Sequence, residues 1–266
     1  KARHASIATS FLRWPAGRRA CYRVGGMSMT PALPERPARV RLASYNIRKA
    51  VGLDRRRDPA RIVEVLAEIA PDVAVLQEVD TRVPPRRAVL SPASMEAHAG
   101  LRLLDPSVGL GRTGFHGNTI ALAPHVALLD LDAIDLPGLE PRGAVLARLG
   151  LPDGELFLVG CHLPLVATFR RVAVARLVEA IRAEGATRWV IAGDLNEPRE
   201  VGTLAPFAEG ARILGAGLSF HTRMPRFALD RFILSPGLGG AAHVHRSAAS
   251  RIASDHFPVV ASVGAE

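Results

Sequence analysis

The chain has 266 residues, 48% hydrophobic and 22% charged, too apolar for a disordered chain and long enough to bury a core without disulfides or a structural metal. Its two cysteines, Cys21 in an irregular stretch and Cys161 in an apolar run, argue against a disulfide framework and fit a reducing, cytoplasmic setting, and no apolar run approaches the ~20 residues of a membrane span. The formal charge of +9 resembles a nucleic-acid signature until it is divided: residues 1–38 hold seven Lys or Arg against one acid, Glu35, a net +6 that leaves only +3 for the other 228 residues.

Residues 1–38 are Arg-rich, lack periodicity and contain Met27 and Met29. They are expected to be a basic tail or a mis-assigned start, with a transit-like peptide as the alternative. Pro31, Pro34 and Pro37 form an extended lead-in, and a single domain is expected over 39–266. Alternation from Val40 predicts a strand ending at Asn46. Asp58-Pro59 opens a helix with an N-cap acid and a first-turn proline, its apolar stripe running through Ile62, Leu66 and Ile69 with Val63 and Ala67 beside them. Pro71-Asp72 stops it, and Val73 to Leu76 form a buried strand that delivers Gln77-Glu78. Strands follow at 118–123, 125–131, 143–149 and 155–161. A helix capped by Thr168 extends to about Glu184 with Val172, Ala175 and Val178 on one side, and strands at 188–192, 227–234, 242–246 and 257–263 complete the chain. Mixed βαβ and hairpin steps predict α/β layers around mixed sheets.

Polar residues stand immediately after these strands: Asn46, Glu78, His162, Asp194 with Asn196, Asp230, and Asp255-His256. Each alone has an ordinary structural reading, as a turn residue, a solvated strand end, a helix cap or a satisfied core histidine. Together they supply metal-assisted attack on phosphate. Glu78, with Asn46 or Asp255, offers the oxygen ligands that Mg²⁺ prefers. His256 can take a proton from water, Asp230 can hold its imidazole in one tautomer, and His162 and Asn196 can donate to phosphate oxygens. No HExxH or Cys/His zinc spacing, no GxSxG and no P-loop occurs.

Seven segments carry a resemblance: Ala43-Ser-Tyr-Asn-Ile47, Leu76-Gln-Glu-Val79, Gly117-Asn118, Cys161-His-Leu163, Gly193-Asp-Leu-Asn-Glu197, Leu229-Asp-Arg-Phe-Ile233 and Ser254-Asp-His-Phe-Pro258. In this order they resemble the endonuclease/exonuclease/phosphatase superfamily, the metal-dependent phosphohydrolases that include DNase I, AP endonucleases, neutral sphingomyelinases and inositol polyphosphate phosphatases. The resemblance implies a DNase I-like four-layer α/β sandwich, two mixed sheets with helices outside and the site at one edge. It implies that Asn46 and Glu78 serve the metal with Asp255 beside it, that Asp194 and Asn196 position water and phosphate, that His162 contacts phosphate and that Asp230 orients His256. It leaves open whether His256 or Asp194 is the base, and whether one or two ions act.

Departures bear on substrate. AP endonucleases have an acid two positions after the first-motif asparagine, where this chain has Arg48 followed by Lys49, and a tyrosine in mid-site, whereas the tyrosines here are Tyr22 and Tyr45. A repair nuclease is therefore disfavoured, and the chain looks more like a compact bacterial branch. Asn118 and Arg142 are expected to bind substrate, Arg142 as a phosphate clamp, with a surface arginine as its other reading. Arg55-Arg56-Arg57 reads as a solvated loop, His243-Val244-His245 as a surface strand, Glu96 and His98 as an exposed helix face and His116 as a site edge. The expected activity is that of a Mg²⁺-dependent phosphohydrolase, Mn²⁺ serving as a substitute, on a phosphodiester or phosphomonoester. A phosphodiesterase on a small or lipid-derived substrate is favoured. A nonspecific endo- or exonuclease is the alternative, so nucleic acid stays open as a substrate, as does peripheral membrane contact. A non-catalytic binding protein on the same fold is the alternative of another class, opposed by the presence of every metal and base residue.

Overall fold

The computed structural model describes residues 39–82, 86–105, 114–208 and 210–266; the expected tail and Cys21 lie outside them. Apolar residues at four consecutive positions, Val73 to Leu76, require burial on both faces, and this strand, β2 (Val73–Gln77), is fully buried beside β1 (Arg39–Asn46). β1 and β2 run parallel, with Asn46 level with Gln77. Around them, β3 (Arg102–Leu103), β4 (Asn118–Leu122), β11 (Leu238–Val244) and β12 (Val259–Ala265) complete a six-stranded sheet of order β11-β12-β1-β2-β4-β3. The second sheet has the order β5-β6-β7-β8-β10-β9, from β5 (Ala127–Leu136), β6 (Arg142–Leu151), β7 (Gly154–His162), β8 (Trp189–Asp194), β9 (Arg212–Gly215) and β10 (Asp230–Leu234). Here β7 and β8 are the parallel pair, and His162, Asp194 and Asp230 share one level across three strands.

Both sheets are mixed, and Val75, Ile120, Val145, Leu158, Val190 and Phe232 fill the core between them. Their approach is close. A Cβ on Gly160 would stand 2.8 Å from Val75 of the facing sheet, so only glycine fits there. On the outer face of the first sheet lies α1 (Pro59–Ile69), its N-cap Asp58 accepting from the Ala60 N–H at 3.1 Å. It buries Ile62, Val63, Val65, Leu66 and Ile69; Val65 widens the expected stripe, and Ala67 is exposed. The outer face of the second sheet carries α3 (Ala167–Ala183). The layers are thus helix, sheet, sheet, helix.

Short helices α2 (Pro92–Ser94), α4 (Ala205–Ala208) and α5 (Ser250–Ala253) lie in the connections, and a π turn, Met95–Ala99, exposes Glu96 and His98 as expected. Two expectations for α3 are corrected. Its N-cap is Val166, with Thr168 inside the first turn, and its buried face is Arg170, Ala173, Val174, Leu177 and Ile181. Val172 is 50% exposed. The true stripe contains an arginine, which a hydrophobicity pattern skips. His243 is exposed and His245 bonds Glu68 at 3.0 Å. No helix among the described residues is long and apolar enough to cross a membrane.

Candidate active site

The parallel pair of each sheet ends in polar residues, and both ends meet. Asn46 of β1 donates from Nδ2 to Oδ2 of Asp194 on β8 at 3.0 Å, a buried bond joining the two sheets. The same Asp194 oxygen lies 3.3 Å from His162 Nε2 and 3.7 Å from His256 Nε2, while Oδ1 accepts from the Asn196 N–H at 3.1 Å. Asp194 is the centre of the cluster. Gly193 lets it sit there, because a Cβ at 193 would collide with the Cys161 carbonyl on the neighbouring strand. Glu78 and Asn196 both adopt left-handed φ, 57° and 49°, a conformation that non-glycine residues hold mainly where function or packing requires it.

His256 is fixed from its other side. Its Nδ1–H donates to Asp230 Oδ2 at 2.8 Å, and that oxygen also accepts from Ser219 Oγ at 2.6 Å. Burial opposes charge on His256, but Asp230 and Asp194 outweigh it and push the imidazole up to about 10. His162 goes the other way: burial first, then Arg142 and Arg82, hold it well below its ordinary value. A neutral His162 keeps Nε2 3.3 Å from Asp194 Oδ2 and can accept at Nδ1 from Arg82, 3.5 Å away. Burial raises the Asp194 carboxyl against the pull of His256. An imidazole that favours its charged form, one that favours its neutral form and two carboxyl groups, Asp194 and Asp230, thus occupy a single buried cluster.

Glu78 lies at the edge of that cluster between two cations, Lys49 Nζ at 2.5 Å and Arg82 at 2.9 Å. Burial alone would raise its carboxyl, but Arg82 and Lys49 hold it below its ordinary value. Asp255 pairs with Arg48 at 3.1 Å. Arg48 and Lys49 are neighbours in the 3-10 turn Arg48–Ala50 after β1, so one turn sets a cation on each of two carboxylates. The Glu78 and Asp255 carboxylates and the Asn46 amide are hard oxygen donors, the chemistry that a divalent cation of the Mg²⁺ type prefers. Asp194, Asp230 and His256 offer a further three ligand atoms within 4.8 Å of one another, and Asp230 Oδ1 is buried with no hydrogen-bond partner.

Of the residues singled out in sequence, Asn46, His162, Asp194, Asn196, Asp230 and His256 form one bonded network, while Glu78 joins it through Arg82. Asp255 is linked instead to Arg48 and Ser254. The Asn196 side chain donates to the Leu163 carbonyl at 2.8 Å. Asn118 is fully buried and donates to the Gly143 carbonyl at 3.0 Å, tying β4 to β6 across the sheets, with Oδ1 buried and unpaired. Arg142 is 6% exposed, which removes the surface reading, and burial and the nearby Arg82 lower its pKa. His116 pairs with Asp135 at 2.8 Å, outside the network. Arg82, which bridges Glu78, Glu140 and His162, and Ser219 carried no signal in sequence, since neither follows a patterned strand.

The chain matches the model of the Endonuclease/Exonuclease/phosphatase family over residues 43–256. Solved structures with this architecture include an endonuclease/exonuclease/phosphatase from Beutenbergia cavernae DSM 12333, at 22% identity and TM-score 0.66, covering 86% of this chain and 72% of that one. Another is from Bacteroides vulgatus, at 15% identity and TM-score 0.69, covering 86% and 100%. A third is D. rerio TDP2 complexed with single strand DNA product, at 17% identity and TM-score 0.61, covering 86% and 100%. Among curated proteins, none matches. At such identities the structural likeness carries the fold, which is DNase I-like. The match to the family itself runs from β1 to the histidine that closes the Asp194 cluster, and the chain belongs to the endonuclease/exonuclease/phosphatase family.

Proposed function

We propose that the chain is a divalent-cation-dependent phosphodiesterase, with Mg²⁺ as its ion and Mn²⁺ as a substitute, cleaving a small or lipid-derived substrate by attack of water. The observation that carries this reading is the Asp194 cluster: two histidines of opposite charge preference and an asparagine around one buried carboxylate. Pairs of titratable groups pushed apart by their surroundings divide acid from base work. Asp194 is assigned the proton from the attacking water. His256, held between two carboxylates, is assigned to donate to the phosphate and the departing oxygen, with Asp230 fixing its ring. His162 and Asn196 orient Asp194 and the loop beside it, and Lys49, Arg82 and Arg142 bring positive charge toward the phosphate.

Glu78, Asn46 and Asp255 would hold the cation, which when bound supplies Lewis acidity at the phosphoryl oxygen. A lipid-derived substrate is favoured by the rim beside Arg142, where Leu139 and Leu165 are 80% and 70% exposed along a cavity of about 100 Å³. The DNA product in the TDP2 structure keeps a nuclease as the second reading. A reducing, cytoplasmic location agrees with the buried free thiol of Cys161. The test is a panel of plasmid DNA, RNA, phospholipids, inositol phosphodiesters and an aryl phosphodiester, assayed with Mg²⁺ and with excess chelator. Turnover is expected only with the ion, and Glu78→Ala is expected to lose most of it while keeping its circular dichroism spectrum. Full activity in chelator would sink the proposal.

A further inference from the structure

A cavity of about 460 Å³ opens beside the cluster, and three segments converge on it. Arg48 comes from the turn after β1, Arg55 from the loop that follows, and Phe220, Arg223, Arg226 and Phe227 from the chain before β10. Phe220 and Phe227 exchange main-chain hydrogen bonds of 3.0 and 2.9 Å, which makes the residues between them a hairpin tip. The Phe220 ring centre lies 4.7 Å from that of His256, and Phe227 is 45% exposed. Phe220 thus lines the cavity on one side and packs against His256 on the other, and Phe227 carries the aromatic wall outward.

Of its four arginines, Arg48 is paired with Asp255 and the other three are unspent. Arg61 and Arg82 each pair with two carboxylates, but among the described residues no carboxylate pairs with Arg55, Arg223 or Arg226. Arg223 reaches the Leu53 carbonyl at 3.4 Å, and Arg226 the Met224 sulfur at 3.7 Å. Exposed guanidinium groups gathered on one cavity repel one another until an anion with several acceptor oxygens arrives, and phosphate suits their fork geometry. The scissile phosphate has other cations at hand, Lys49, Arg82 and Arg142 around Glu78.

We infer that the cavity is a second phosphate subsite: the substrate carries, beyond the scissile diester, a further phosphate that Arg55, Arg223 and Arg226 bind while Phe220 and Phe227 cover the part between. This deepens the hydrolase reading and rests on it. The phosphate can belong to a nucleotide or to a phosphorylated lipid headgroup, and the test separates them.

Two substrate pairs differ only in that group: thymidine 5′-(p-nitrophenyl phosphate) without and with a 3′-phosphate, and glycerophosphoinositol without and with a ring 4-phosphate. In one pair the added phosphate is expected to raise kcat/KM about tenfold or more, and that pair names the source. Arg223→Gln with Arg226→Gln, both exposed, and separately Arg55→Gln, are expected to cancel the gain and leave the parent ester within about twofold. A ratio near one in both pairs, or equal loss of both esters in the variants, overturns the inference. Calorimetry in excess chelator supplies a readout without chemistry, comparing thymidine 3′,5′-bisphosphate with the 5′-monophosphate, and inositol 1,4-bisphosphate with the 1-phosphate. A bisphosphate preference that the variants lose, with no turnover of any ester, defeats the hydrolase reading and supports the subsite. Turnover with no preference in either measurement defeats the subsite alone.

Discussion

Asp194 accepts from nitrogen donors while Glu78 lies between two cations, and this difference in partners separates their tasks. In the proposed mechanism the first exchanges a proton and the second holds the cation. His256 depends on a single bond for its orientation, Nδ1–H to Asp230. If the two residues act as a unit, His256→Ala and Asp230→Asn should each lower kcat about 10²- to 10⁴-fold. The double variant should then lose much less than the product of the two defects. Steady-state kinetics on all four proteins gives the answer, and multiplicative losses would show that they work independently. Such residues were legible in sequence because a polar side chain at the end of an apolar strand breaks the pattern. Lys49 and Arg82 were less so. They sit in unpatterned loops, and what marks them, a carboxylate 29 residues on in one case and 4 residues back in the other, is a matter of tertiary contact.

At the level of elements, the site depends on how the loops after β7 and β8 are held. Arg170 of α3 is 4% exposed and donates to the carbonyls of Pro164 and Leu165, to Thr203 Oγ1 and to Glu197 Oε2. Arg231 of β10 clamps the carbonyls of Glu197, Arg199 and Glu200. Ten strands and α1 followed from period and capping, while β3 and β9, two and four residues long, are too short to show a period. The α3 face was misread because β-branched Val172 and Val178 imitate a stripe and a buried arginine hides one. Glu197 links these loops. Burial would raise its carboxyl, but hydrogen bonds from the Thr203 hydroxyl and N–H and from the Arg199 N–H, with Arg170 nearby, hold it at about 2. A depressed carboxylate stabilises the fold fully above its ordinary value of 4.5 and loses that contribution as pH falls toward 2. Glu197→Gln should therefore cost as much as roughly 3 kcal/mol at neutral pH, also leaving the buried Arg170 without its ion-pair partner. Urea denaturation between pH 7 and pH 3 should show the difference from the parent closing as the solution is acidified. A constant difference would remove the carboxylate from the account.

Across the whole molecule, the layers were legible because helical and strand periods alternate cleanly and the site segments keep their order. The distribution of charge was not. A net +3 after residue 38 conceals Arg48 with Arg55 and Arg223 with Arg226, two pairs from distant stretches of the chain that line one cavity. The larger share of charge lies in residues 1–28, which carry six Lys or Arg and no acid, while every described core strand begins at Arg39 or later. We expect those 28 residues to be dispensable for fold and chemistry yet to dominate nonspecific binding to duplex DNA. Each phosphate neutralised on duplex DNA steepens the fall of log K with log salt by about 0.9, so deletion of residues 1–28 should flatten that slope by at most roughly 5. The melting temperature and the turnover of a small phosphodiester should stay unchanged. Binding isotherms on a DNA duplex between ~50 and ~200 mM salt, for the full chain and the deletion side by side, measure the slope over the range where counterion release is largest. An unaltered slope would move the DNA-binding charge into the folded body and raise the nuclease reading above the phosphodiesterase one. A fall in melting temperature or turnover would instead show that the segment belongs to the catalytic domain.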